Sequence, residues 1–121
     1  MPFQYTLANL LAVNDGALAV LFLDETGETV DLSCAEYTPY EMKVVGAYVG
    51  IYMRQMAEVA ATTGLGVIDV LHIEKDEIHL FSASLPDGYY LVLVQTRPSL
   101  TAHSRRTLLQ ARDEISREIF G

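Results

Sequence analysis

Apolar and polar residues follow one another along this chain in two rhythms, and the rhythm changes wherever Gly, Pro, Asp or Asn gather. Phe3, Leu7, Leu10 and Leu11 recur at the spacing of one helical face, and Asn14-Asp15-Gly16 ends that helix at about Val13. Ala17 to Leu23 is continuously apolar, and Asp24-Glu25-Thr26-Gly27 turns it into Glu28 to Ser33, which predicts a first hairpin. Thr38 is placed to cap a long helix, with Pro39 at its first position, Glu41 in its first turn and Thr62-Thr63-Gly64 closing it. Val67 to Glu74 and Glu77 to Ala83 predict a second hairpin around Lys75-Asp76. Pro86-Asp87-Gly88 then leads into Tyr89 to Thr96, where both alternating sets are apolar (Tyr89, Leu91, Leu93 and Tyr90, Val92, Val94). A strand apolar on both faces belongs in the middle of a sheet with a layer on each side. Ser99 can cap a final helix running to Ile119, with Leu108, Ala111, Ile115 and Ile119 as its buried stripe.

The predicted order is α-β-β-α-β-β-β-α. Short turns join most strands, so the expected fold is α/β (α+β), a mainly antiparallel five-stranded sheet. The middle helix would cover one face, and the two terminal helices the other.

Tyr40 to Ala61 is the segment that bears on function. On a helical wheel one broad arc holds Tyr52, Val45, Met56, Val49, Met42 and Met53, and a second holds Ile51, Val44, Tyr48 and Gln55. A narrow charged strip (Lys43, Arg54, Glu58) and a ridge of small residues (Gly46, Gly50, Ala57) separate them. A surface helix buries one apolar stripe, so two arcs call for a second cover, and in a small protein that cover is another chain. Val44, Tyr48, Ile51 and Gln55 are the expected partner platform, since apolar anchors with an aromatic among them usually dominate an interface. Val67, Asp69, Val70 and Leu71 lie in a long Pro-free apolar segment suited to edge pairing with a second copy. The alternative for that segment is an interior strand with both edges covered. Gly46-x-x-x-Gly50 lets another backbone approach closely, either a second helix at a dimer seam or the chain's own sheet.

At 121 residues, one domain spanning 1–121 is expected. The net charge of −8 repels phosphate backbones and argues against a nucleic-acid partner. Arg105, Arg106, Arg112 and Arg117 alternate with Asp113, Glu114 and Glu118, which suits pairing on a helix surface. Cys34 is the only cysteine, which favours a reducing compartment, and Met-Pro-Phe-Gln does not open like a secretory signal. The longest apolar run, Val44 to Met53, is about half the ~20 residues of a membrane span. A soluble cytoplasmic protein without membrane insertion is expected.

Several of these segments together resemble the roadblock/dynein light chain family. They are the opening helix with Leu10-Leu11, Asp15-Gly16 leading into Ala17-Leu18-Ala19-Val20-Leu21, and the Asp24-Glu25-Thr26-Gly27 turn. The long middle helix, Leu85-Pro86-Asp87-Gly88-Tyr89-Tyr90-Leu91-Val92-Leu93-Val94 and Pro98-Ser99-Leu100 before the last helix complete the pattern. The resemblance spans nearly the whole chain, with no single diagnostic motif. It implies a homodimer, or a heterodimer with a related roadblock-like subunit, built from antiparallel middle helices and edge pairing of the third strand. In bacteria it implies an MglB-like regulator of a small Ras-like GTPase in gliding or polarity systems. Such a regulator engages the GTPase chiefly through the middle helices and remodels it without supplying catalytic groups.

Catalytic constellations are sparse. His72 and His79 would face each other if Lys75-Asp76 were a two-residue loop, giving a divalent metal two imidazoles beside Glu74 and Glu77. The ordinary reading is a polar hairpin end, and no metal or other cofactor is expected. If that edge is also the dimer edge, the histidines would confer pH sensitivity. Gly64-x-Gly66 lacks the Gly-Lys-Ser/Thr of a phosphate loop, and no serine sits in a nucleophile elbow. Arg54 could serve as an arginine finger toward a GTPase, although a charged strip on a long helix is ordinarily its solvated side. The expected role is a non-catalytic adaptor or GTPase regulator. The competing expectation is a sensor with a small-molecule pocket between sheet and helices; few convergent polar groups speak for it.

Overall fold

Strands that are apolar on both faces need two covering layers, and this chain supplies both. In the computed structural model, residues 3–35, 39–96 and 100–121 are described. The capping roles expected of Thr38 and Ser99 fall outside them. The elements are α1 (Phe3–Ala12), β1 (Ala17–Leu23), β2 (Thr29–Cys34), α2 (Pro39–Thr63), β3 (Val70–Glu74), β4 (Ile78–Ser84), β5 (Tyr90–Thr96) and α3 (Thr101–Phe120). The five strands form one sheet in the order β2-β1-β5-β4-β3, with every neighbour antiparallel. The chain order α-β-β-α-β-β-β-α and the five-stranded antiparallel architecture are the predicted ones.

β5 occupies the centre, as its two apolar faces require. Leu91 and Leu93 join Val20, Phe22, Phe81 and Ala83 on one face, against Leu7 and Leu10 of α1 and Leu108, Ala111 and Ile115 of α3. Tyr90, Val92 and Val94 join Leu21, Leu23 and Leu80 on the other, against Met42, Val49 and Met53 of α2. Period-two alternation thus feeds two cores through one sheet. Ile119, expected in the stripe of α3, is exposed instead, and Phe120 packs edge-on against Tyr89 with centroids 5.9 Å apart.

The turns explain why the elements stop where they do. Asn14 Nδ2 donates to Leu10 O (3.0 Å) and to Thr107 Oγ1 (3.0 Å), so one buried amide ends α1 and ties it to α3. Asp24 Oδ1 accepts from Thr26 N, Thr26 Oγ1 and Glu28 N at 2.7–3.0 Å, and Gly27 takes φ +88° to complete the turn. The Thr26 hydroxyl first, and the backbone donors with it, hold the Asp24 carboxyl below its usual range against the opposing effect of burial.

Candidate interaction surface

The position of α2 is set by its two glycines. A Cβ on Gly46 would meet Leu23 Cδ2 at 3.0 Å and Leu21 Cδ2 at 3.1 Å, and one on Gly50 would meet Gly27 Cα at 3.1 Å. Both glycines are buried against the chain's own β1–β2 hairpin. Their close approach therefore serves the chain's own sheet, the second of the two roles expected of that small-residue ridge. Arg54 reinforces the same contact by donating from Nη1 to Glu25 O (3.1 Å), so the proposed arginine finger is engaged in an internal turn.

Seated over β1 and β2, α2 leaves the β4–β3 half of that sheet face open. The result is a groove of about 1070 Å³. Its helical wall includes Val45, Tyr48, Tyr52 and Met56, its floor Leu71, Ile73, Ile78 and Leu80, and its rim Glu41, Lys75, Asp76 and Glu77. The broad arc of α2 is thus split. Met42, Val49 and Met53 are buried beneath the helix, whereas Tyr52 and Met56 stay 44% and 42% exposed. The arc is broader than half a sheet can cover, so Val45 packs only partly against that core and Tyr52 and Met56 lie beyond it.

All the apolar members of the second arc remain exposed: Val44 at 41%, Tyr48 at 58% and Ile51 at 39%. Tyr48 and Gln55 also line the groove, so they stand at its lip, while Val44 and Ile51 face outward beyond it. The four platform residues therefore straddle two adjoining surfaces.

The groove runs out to a sheet edge. β3 pairs with β4 and, among the described residues, with no strand on its other side. Val70 and Leu71 belong to that edge strand and are half-buried. Val67 and Asp69 do not: the strand starts at Val70, Val67 is 94% exposed in the lead-in, and Asp69 is ion-paired with Arg112 of α3. The lead-in still lies along β4, because Ser84 N donates to Asp69 O (3.0 Å) and Ser84 Oγ to Ile68 O (2.7 Å).

The second hairpin has a different register from the expected one. His72 lies opposite Phe81, and His79 opposite Glu74. The turn takes in Glu77 as well as Lys75 and Asp76, with Lys75 N donating to Ile78 O (2.9 Å). The two imidazoles meet all the same, as diagonal neighbours on the face toward α3, with His72 Nε2 2.9 Å from His79 Nδ1. Among the described residues no group of three or more His, Cys, Asp or Glu is arranged to hold a metal ion. No described helix is long and apolar enough to cross a membrane.

An antiparallel sheet with two terminal helices on one face and one long helix set off-centre on the other is shared with known structures. The roadblock/LC7 domain from Streptomyces avermitilis superposes with a TM-score of 0.87 at 13% identity, covering 97% of each chain. The chain has the roadblock fold. MglB of Myxococcus xanthus gives a TM-score of 0.84 at 16% identity over 97% of this chain and 94% of that one. The gliding protein MglB from Thermus thermophilus gives 0.83 at 16% identity over 95% and 86%. No family model and no curated protein matches the chain by sequence. In this roadblock fold, then, the open groove, the free β3 edge and the outer arc of α2 form one continuous surface.

Proposed function

We propose that the chain is a non-catalytic regulatory adaptor that dimerises through the groove and the β3 edge and offers the outer arc of α2 to a small Ras-like GTPase. The observation that carries this reading is the off-centre seat of α2. It leaves an apolar groove that ends at a strand whose outer edge has no partner among the described residues, beside a second apolar arc that stays exposed. Two copies related by a two-fold axis perpendicular to the sheet would join β3 to β3, continue the sheet and bring Tyr52 and Met56 of each copy over the open floor. Tyr48 and Gln55 at the lip would take part in that contact, and Val44 and Ile51 would remain outside it. A related roadblock-like subunit would satisfy the same surface in place of a second copy.

The GTPase is supported by the resemblance to MglB-like regulators and by the fold shared with MglB; motility or cell polarity is the corresponding setting. Fold alone does not fix function, so the partner needs its own test. The experiment is retention of a purified small Ras-like GTPase, loaded with GTP or GDP, on the immobilised chain and on its Ile51→Asp variant. Nucleotide-dependent retention that Ile51→Asp abolishes supports the reading. Equal retention on both proteins, or none on either, contradicts it. Hydrolysis measured in the same mixture distinguishes a GTPase-activating role from a scaffold role. A groove that instead holds a small molecule would show as a monomeric chain that co-purifies with a ligand.

A further inference from the structure

Neither apolar surface uses the imidazole pair. The ring centroids of His72 and His79 are 5.1 Å apart and their nearest nitrogens 2.9 Å, so the nitrogens face each other head-on. Such a contact holds one proton between the two nitrogens. On the far side, His79 Nε2 faces Glu74 Oε1 at 3.8 Å. A hydrogen on His79 Nε2 suits that carboxylate and leaves Nδ1 to accept from His72 Nε2–H; this tautomer is assigned from the surroundings. One added proton, taken up at His72 Nδ1 while the bridging hydrogen passes from His72 Nε2 to His79 Nδ1, makes His79 an imidazolium that donates to His72 Nε2 and points Nε2–H at Glu74. A second added proton sets N–H against N–H, and the contact must break.

The surroundings offer that second charge little help. His79 is buried opposite Gln95, whose Oε1 accepts from Ser104 Oγ (2.8 Å). His72 stacks on Phe81 with centroids 4.2 Å apart, and α3 brings Arg105 to the hollow beside it. Asp69 in the same hollow is ion-paired with Arg112. Lys75, Asp76 and Glu77 line the groove on the opposite face. Burial first, and then the neighbouring His79, hold the His72 imidazolium below its ordinary range, with Glu74 partly opposing them.

His72 is also the central residue of β3. A two-fold axis perpendicular to the sheet keeps both grooves on one side, so residues of equal parity pair across the edge. Full overlap of Val70–Glu74 then sets His72 opposite its own counterpart, with Cβ atoms about 5 Å apart.

We propose that His72, with His79 and Glu74, forms a proton-operated latch on the pairing edge, which weakens association of two copies as the imidazole pair takes its second proton. This inference rests on the dimer reading above. One extra charge per copy, facing its like across the axis, weakens the dimer about tenfold or more on passing from about pH 7.5 to about pH 5, below the ordinary imidazole range.

The test is sedimentation velocity of the full chain at both pH values, with circular dichroism to follow folding. The wild type is expected to dimerise at the higher pH and dissociate at the lower with its helical signal intact. His72→Gln is expected to dimerise equally at both. A wild-type dimer of unchanged strength at the lower pH, or a His72→Gln protein that keeps the wild-type pH response, overturns the latch and leaves the dimer standing. Loss of helical signal at the lower pH also overturns the latch. A chain that is monomeric at the higher pH overturns the dimer reading and the latch with it.

Discussion

Gly50 of α2 lies so close to Gly27 of the β1–β2 turn that a Cβ on Gly50 would sit 3.1 Å from the Gly27 Cα. Two glycines from distant parts of the chain thus set how near the long helix comes to its sheet. The neighbouring atom is backbone, so a side chain there cannot be accommodated by rotating a flexible end. Gly50→Val is expected to push α2 outward and to lower stability by about 1–3 kcal/mol, as overpacking does, read by chemical denaturation. A variant as stable as wild type would mean that the turn yields freely.

Ile51 lies one residue further on and points away from that contact, 39% exposed and outside the groove. Ile51→Asp is expected to change stability by less than about 1 kcal/mol, within the range of exposed substitutions, and to leave self-association intact. Thermal melts and light scattering check both. Loss of folding would place Ile51 in the core after all.

On the acid side, Asp24 and His72 both make stability fall as pH falls. Asp24 has a lowered folded pKa, so its contribution is present above its ordinary value of 3.8 and is lost as pH falls through the folded value. Partial exposure of Asp24 to solvent keeps that contribution small. Asp24→Ala is expected to cost about 0.5–1.5 kcal/mol near neutral pH through its hydrogen bonds, and less in acid. His72 also has a lowered folded pKa, so its contribution is complete above the ordinary 6.5 and declines as pH falls below it. Denaturant midpoints followed downward from about pH 8 should therefore fall from about pH 6.5 in the wild type and less steeply in His72→Gln.

Element order, layering and the central place of β5 were legible because β5 is apolar on both faces, which only interior strands tolerate. The β3–β4 register was not legible, because Lys75-Asp76 carries no residue that fixes a two-residue turn. Glu77 joins the turn, and every cross-strand pair moves with it. Val67 reads as strand because it is apolar and β-branched, yet Gly66 at φ +92° precedes it and the strand begins only at Val70. The excess apolar surface of α2 was visible from periodicity. Which arc faced the chain's own sheet depended on Gly46 and Gly50, and a small-residue ridge fits a neighbouring sheet as readily as a neighbouring helix.

Self-association of the chain and of its Tyr52→Glu variant, measured by sedimentation at micromolar concentration near neutral pH, bears most directly on the open groove. Tyr52 is 44% exposed on the groove wall, so a carboxylate there spares the monomer and opposes any apolar cover. The expected result is a dimeric wild type and a folded, monomeric variant. A wild type that stays monomeric, or a variant that dimerises as strongly as the wild type, would contradict the proposal that a second chain closes this groove.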